Sequence, residues 1–331
     1  MPSLIDPALQ QEFLREGFVQ LRLLDAEQAG SLRQEIMAAS ASGWDIEHVA
    51  GNYLSIYDEH PDRKAQVDKA VRRHLHPSLA EHVRDYQILV NTLFAKPPSG
   101  SGTPLHQHAP VSERPFETAI TVWCALTDCD ADTSALFVVP RSHHLYRFLR
   151  VYGEHDFFHD YRATMVERHI RRLSFKAGDA LVMDNNLIHG AFENQGSEAR
   201  LAVAALLIAA ESRFMVYHRD GDQIVAMDPA DEPGEEVEMM MVGRTDWTGP
   251  IRTRFPAWTQ AANLAQTEAL LARSGPRATE AYDPLTTVAG LASRPPRQAF
   301  DWRASARNVP GMLQVVRLGR RMIARWRGPA Q

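Results

Sequence analysis

Leu105-His106-Gln107-His108 sets two histidines two positions apart, and Leu187-Ile188-His189-Gly190 offers a third from a distant part of the chain. Side chains alternate across a β-strand, so residues i and i+2 point the same way. If both segments belong to one barrel or sandwich, three imidazoles converge on one face of a single ion and leave the opposite face open. A His-x-His pair by itself is a weak signal in a chain of 14 histidines. Its surroundings decide what it means.

Those surroundings read as β-structure. From about residue 86 the hydrophobic period is two, with strands expected at 87–95, 119–126, 135–139, 170–175, 180–184 and 201–209, separated by Pro, Gly, Asp and Ser clusters that make turns. Many short strands between turns predict a mainly β protein with flanking helices, its core a sandwich or barrel. Upstream, 7–15 has a helical pattern ending at Gly17, 18–23 alternates as a short strand, and Asp25 caps a helix over 26–39 that buries Leu32 and Ile36. Residues 59–85 are polar with helical spacing and are expected to pack outside the core.

Composition narrows the function classes. The 331 residues are 44% hydrophobic and 23% charged, ordinary for a globular protein. A net charge of -5 gives no reason to expect nucleic acid as a partner. Two cysteines, Cys124 and Cys129, exclude a disulfide framework. With no signal-peptide pattern and no apolar run of about 18 residues, the expected compartment is the cytoplasm and no transmembrane segment is expected.

The chain after residue 215 changes character. Asp228, Asp231, Glu232, Glu235, Glu236 and Glu238 precede Met239, Met240 and Met241. This reads as a solvated acidic loop, with a substrate lid of acids and methionines as the alternative. Met312 to Trp326 forms a basic amphipathic pattern with Arg317, Arg320, Arg321 and Arg325. Residues 312–327 fit peripheral contact with an anionic membrane surface, and docking onto the protein's own body or a second subunit is the plainer reading. Two units are therefore expected: 1–215, and an extension over 216–331 that packs on it and ends in this helix.

The run Lys96-Pro97-Pro98-Ser99-Gly100-Ser101-Gly102-Thr103-Pro104-Leu105-His106-Gln107-His108 resembles the approach to the metal site in the phytanoyl-CoA dioxygenase family. So do Glu113, Val122-Trp123-Cys124-Ala125-Leu126-Thr127-Asp128, Leu136-Phe137-Val138-Val139-Pro140-Arg141-Ser142-His143, Gly178-Asp179, His189-Gly190, Asn194 and Arg200, in the same order. The likeness extends over about residues 8–212. It implies a double-stranded β-helix (jelly-roll, cupin-like) core and an enzyme that uses Fe(II) and the co-substrate 2-oxoglutarate to oxidise a small organic molecule with O2. It implies metal ligands at His106, His108 and His189, and co-substrate contacts from Arg200, Thr92 and Trp123. Lys96 and Gln107 are candidates for substrate binding. A buried carboxylate needs a charge-assisted partner, and Arg200 at the mouth of an apolar strand supplies a two-pronged one.

One position departs from the family. Its pattern is His-x-Asp or His-x-Glu followed by a distal His, whereas here the middle residue is His108. Exchanging an anionic ligand for a neutral one makes the centre one charge more positive. Two other readings stay open on these residues: a three-histidine dioxygenase acting without 2-oxoglutarate, and a relative that binds metal or ligand without turnover.

Overall fold

A computed structural model describes residues 2–39, 51–58, 60–145, 149–151, 156–229, 249–257 and 263–273. The acidic and methionine residues from 231 to 241 and the basic helix expected over 312–326 lie outside the described residues.

The N-terminal segment begins with strand β1 (Ser3–Leu4), which pairs with β4 (Val83–Arg84). Helix α1 (Pro7–Glu16) is capped by the Asp6 carboxylate and ends at Gly17, whose left-handed backbone (φ 86°) reverses the chain into β2 (Phe18–Arg22). Helix α2 (Ala26–Ala38) starts with a reciprocal capping box between Asp25 and Gln28. After β3 (Tyr53–Leu54), helix α3 (Pro61–His82) runs for 22 residues.

Two sheets form the body. The six-stranded sheet has the order β2, β10 (Asp179–Asp184), β7 (Ile120–Ala125), β12 (Arg200–Ala209), β5 (Tyr86–Lys96), β3. The four-stranded sheet has the order β6 (Thr103–His106), β11 (His189–Ala191), β8 (Leu136–Val138), β9 (Arg171–Arg172). From β5 to β12 the chain passes back and forth between the two sheets, and every pairing is antiparallel. This winding is the double-stranded β-helix, a closed form of the jelly roll.

Alternation along the central strands sorts their side chains between two apolar layers. Val122, Cys124, Val203, Ala205 and Leu207 face outward onto Leu32 and Ile36 of α2 and Leu75 and Leu79 of α3. Trp123, Ala125, Ala202 and Ala204 face inward, toward Leu136, Val138 and Ala191 of the smaller sheet. β11 squeezes between β6 and β8 because Gly190 lacks a side chain. A Cβ there would come within 2.7 Å of the Thr103 carbonyl and the Phe137 ring.

α3 departs from expectation. It belongs to the main core, with Val67, Ala70, Val71, Leu75 and Leu79 fully buried. Its apolar stripe is one residue per turn in a helix otherwise made of charged and polar side chains, too dilute for composition to reveal. The strand expected over 170–175 shortens to Arg171–Arg172. Three further strands, β13 (Val216–Asp220), β14 (Gln223–Met227) and β15 (Ile251–Pro256), make a separate sheet whose Tyr217, Ile224 and Ala226 pack with Leu149 and Met215. Helix α4 (Arg162–Arg168) contributes Met165, and helix α5 (Leu264–Arg273) contributes Leu271, to a cluster with Leu105, Phe137 and Ile188 from the smaller sheet.

Because Leu75 is fully buried, Leu75→Ala is expected to cost about 2–5 kcal/mol of unfolding free energy, whereas Leu14→Ala, at a residue 51% exposed, changes stability by less than about 0.5 kcal/mol. Urea denaturation of the two variants checks this.

Candidate metal centre

His106 ends β6 and His189 opens β11, and the two are direct cross-strand partners. His108 lies just beyond the strand, not on it. Its place is set by its backbone N–H, which donates to the Asn185 carbonyl (2.9 Å), and by its own carbonyl, which accepts from Arg150. The three ring centroids stand 4.3, 4.8 and 5.5 Å apart. One nitrogen from each ring falls within 4.8 Å of the others. Bonds of about 2.1 Å to one ion put facial nitrogens about 3 Å apart, so modest side-chain rotation closes the set.

Hydrogen bonds decide which nitrogen each ring presents. Nδ1 of His106 lies 2.9 Å from the Pro104 carbonyl, and Nδ1 of His189 lies 2.9 Å from the Leu187 carbonyl. A carbonyl only accepts, so both rings carry their proton on Nδ1 and leave Nε2 as a lone pair. Nδ1 of His108 meets the Thr121 hydroxyl (3.2 Å), which itself donates to the Asn185 Oδ1 (2.8 Å). Burial drives all three imidazoles toward the neutral form: His106 is lowered, His108 is pushed down to about 3 with the neighbouring His106 adding to the effect, and His189 lies well below its usual value. Neutral imidazoles with inward lone pairs are what a divalent ion requires.

Away from the histidines, three neighbouring strands line up on the inner face of the larger sheet: Thr92, Ala204 and Trp123 lie side by side on β5, β12 and β7, and Phe94, Ala202 and Ala125 make the adjoining row. Arg200, only 4% exposed, pairs across the sheet with Lys96, which is fully buried. Its guanidinium bends back over the Trp123 ring, 5.4 Å from the centroid. Trp123 is the next inward residue after Thr121 on β7, a step of about 7 Å along the strand. The guanidinium therefore lies about one pleat from the residue that touches His108.

No carboxylate among the described residues pairs with Arg200, and its Nε and Nη1 are buried without hydrogen-bond partners. Burial lowers Arg200 to about 10, which leaves it charged. Lys96 donates to the Phe192 carbonyl (2.9 Å), and burial, with the Arg200 charge adding to it, pushes it down to about 7. Gln107 points elsewhere: its amide donates to the Asn186 carbonyl and accepts from Arg150 (3.0 Å).

The residues expected from the sequence thus divide into three groups. His106, His108 and His189 come together; Arg200, Lys96, Thr92 and Trp123 share the inner face of the larger sheet; Gln107 braces the loop with Arg150 and Asn186. Thr121, Asn185 and Arg150 are additions from the fold. Thr121 was reachable, since it is the inward position two before Trp123. Asn185 sits in a polar turn of ordinary appearance, and Arg150 arrives from a loop that carries no pattern.

A double-stranded β-helix holding three neutral histidines beside an unpaired buried arginine defines the class of non-haem iron oxygenase. Residues 14–202 match the model of the phytanoyl-CoA dioxygenase (PhyH) family, and the chain belongs to that family, whose enzymes use iron and 2-oxoglutarate. No curated protein sequence matches the chain. Among solved structures, the chain is similar to SnoK, a non-heme alpha-ketoglutarate-dependent carbocyclase from nogalamycin biosynthesis (18% identity, TM-score 0.49, covering 63% of this chain and 86% of the other). It is also similar to the epimerase SnoN from the same biosynthesis (20%, 0.46, 65% and 87%). A third is EctD from S. alaskensis, solved with 2-oxoglutarate and 5-hydroxyectoine (19%, 0.45, 63% and 78%). No reaction follows from likenesses this distant. No helix among the described residues is long and apolar enough to cross a membrane.

The lowered histidines carry a stability consequence. An unfolded histidine takes a proton near pH 6.5, while the buried ones stay neutral, so below about 6.5 the unfolded chain binds more protons and stability falls with pH. In metal-free protein the urea midpoint is expected to drop between pH 7.5 and pH 5, and His108→Asn is expected to show a smaller drop.

Proposed function

We propose that His106, His108 and His189 hold Fe(II), that Arg200 anchors the far carboxylate of 2-oxoglutarate, and that the enzyme hydroxylates or otherwise oxidises a small organic substrate in the space beside them. The observation that carries this reading is the buried guanidinium of Arg200, whose Nε and Nη1 have no hydrogen-bond partner and which lies over Trp123 on the inner face of the larger sheet. A charge out of water without a partner is costly, so such a site is maintained for an anion. The reach from the histidines to that guanidinium suits a short diacid chelated at one end and ion-paired at the other.

Bound iron supplies O2 activation coupled to the decarboxylation of 2-oxoglutarate to succinate. The protein's part is to bind, orient and shield. Thr92 and Trp123 form the walls that align the diacid, and the Trp123 face also stacks on the arginine that receives it. Lys96, which donates to the Phe192 carbonyl, lies across the sheet from Arg200 at the same end of the site. Gln107 acts through Arg150 and the His108 carbonyl, holding the loop and not the substrate. With no carboxylate among the three ligands, the centre depends more on its anionic co-substrate for charge balance.

Anaerobic titration of 2-oxoglutarate into the Fe(II)-loaded protein is expected to give the visible charge-transfer band of a chelate. Arg200→Ala removes the partner of a buried charge and should raise the dissociation constant at least about 30-fold. Absence of the band, together with indifference to Arg200→Ala, would defeat the co-substrate assignment. O2 consumption without succinate would favour a three-histidine dioxygenase that needs no 2-oxoglutarate.

A further inference from the structure

The family expects a carboxylate at position 108, and a carboxylate there needs no control over a ring. An imidazole does. It presents a lone pair through Nε2 only if its proton sits on Nδ1, and it holds its angle only if that N–H has an acceptor. His106 and His189 find theirs in the carbonyls of Pro104 and Leu187, two residues back along their own segments. His108 has no such carbonyl and turns instead to side chains, the Thr121 hydroxyl at 3.2 Å and the Asn185 amide, which also acts as a hydrogen-bond partner of the ring.

A hydroxyl can donate or accept, so Thr121 alone does not fix the proton. Asn185 does. Its Oδ1 accepts the Thr121 hydrogen at 2.8 Å, which leaves the Thr121 oxygen only lone pairs to offer His108. The proton order runs His108 Nδ1–H to Thr121 Oγ1–H to Asn185 Oδ1. Reversing the amide would reverse the chain, turn Thr121 into a donor toward Nδ1 and put the histidine proton on the nitrogen meant for the ion.

A separate observation sets the amide's direction. Nδ2 of Asn185 and Oε2 of Glu117 are both buried without partners, and both residues line one small cavity of about 10 Å3 beside His108. One unsatisfied donor and one unsatisfied acceptor share a space about the size of a single water. An unsatisfied acceptor on that side suits Nδ2 and not Oδ1, which leaves Oδ1 for Thr121. Meanwhile the Asn185 main chain ties the same elements together, accepting from the His108 N–H and donating to Ala119 (2.9 Å each).

We infer that Thr121 and Asn185 are positioning residues that make His108 a metal ligand, locking its Nδ1–H form and aiming Nε2 at the ion. The centre is therefore built for three histidines, with partners of its own around the exchanged position. This rests on the reading that the three histidines bind a metal.

Two readouts test it on the full-length protein. Long-range 1H–15N NMR of the metal-free protein at pH 7.5 should show His108 in the Nδ1–H form, lost in Thr121→Val and kept in Thr121→Ser. Co(II) titration should show Thr121→Val and Asn185→Leu binding about 10–100-fold more weakly, with altered d–d absorption, while Thr121→Ser stays within about threefold of wild type. In a His108→Ala background, Thr121→Val should add no further loss. Thermal melting of the metal-free variants separates these effects from misfolding. If Thr121→Val retains both the Nδ1–H form and wild-type Co(II) affinity, the inference is overturned. If wild type and His108→Ala bind Co(II) equally, the metal reading beneath it fails, and the NMR result still decides the hydrogen-bond chain.

Discussion

A divalent ion shared by three neutral imidazoles demands that every ring face inward with a lone pair and spend its proton elsewhere. In the proposed centre that demand falls on the middle of this molecule. It needs β6 and β11 to pair in register, so that His106 and His189 stand side by side. It needs Gly190 between β6 and β8, because no other residue lets the strands close to that distance. It needs a loop pinned at its backbone on both sides of the third ring, which Asn185 and Arg150 provide.

Charge is the second thread. A carboxylate would have brought a negative charge to the ion and a natural partner to the surrounding cations. With His108 in its place, the interior holds Arg150, Arg200 and Lys96 around a neutral ligand set. Arg150 donates through Nη1 and Nη2 to the Gln107 and Asn186 amides and the His108 carbonyl, whereas Arg200 has Nε and Nη1 buried without partners. The imbalance is concentrated at Arg200, where an anion would relieve it. Under the proposed function, the charge of the co-substrate would complete the centre.

How much of this was legible beforehand varies with the kind of signal. His106, His108, His189 and Arg200 stood out because their residue types are costly to bury and their spacing matched a known order. Thr92 and Trp123 followed from the same order. Lys96 was visible, yet its cross-strand pairing with Arg200 was not, since register depends on how β5 and β12 meet and not on either strand alone. Thr121 was within reach as the inward position two before Trp123, whereas Asn185 sits in a polar turn where nothing local marks it. Gln107 sat between two notable histidines and drew attention by position; alternation turns it to the other side.

The sequence by itself determined five of the six strands of the larger sheet, all but β3, the two N-terminal helices with the Asp25 cap, and the family, because alternation, caps and ordered motifs are written in neighbouring residues. It also fixed the exchange at position 108. Only the tertiary structure decided the small-sheet strands β6 and β11, the burial of α3, the proton order around His108 and the absence of a described carboxylate partner for Arg200. Each of these depends on contacts between residues far apart in the chain. Hydrogen bonds and ion pairs act over a few ångströms of space, and no periodicity along the chain records which distant atoms will share them.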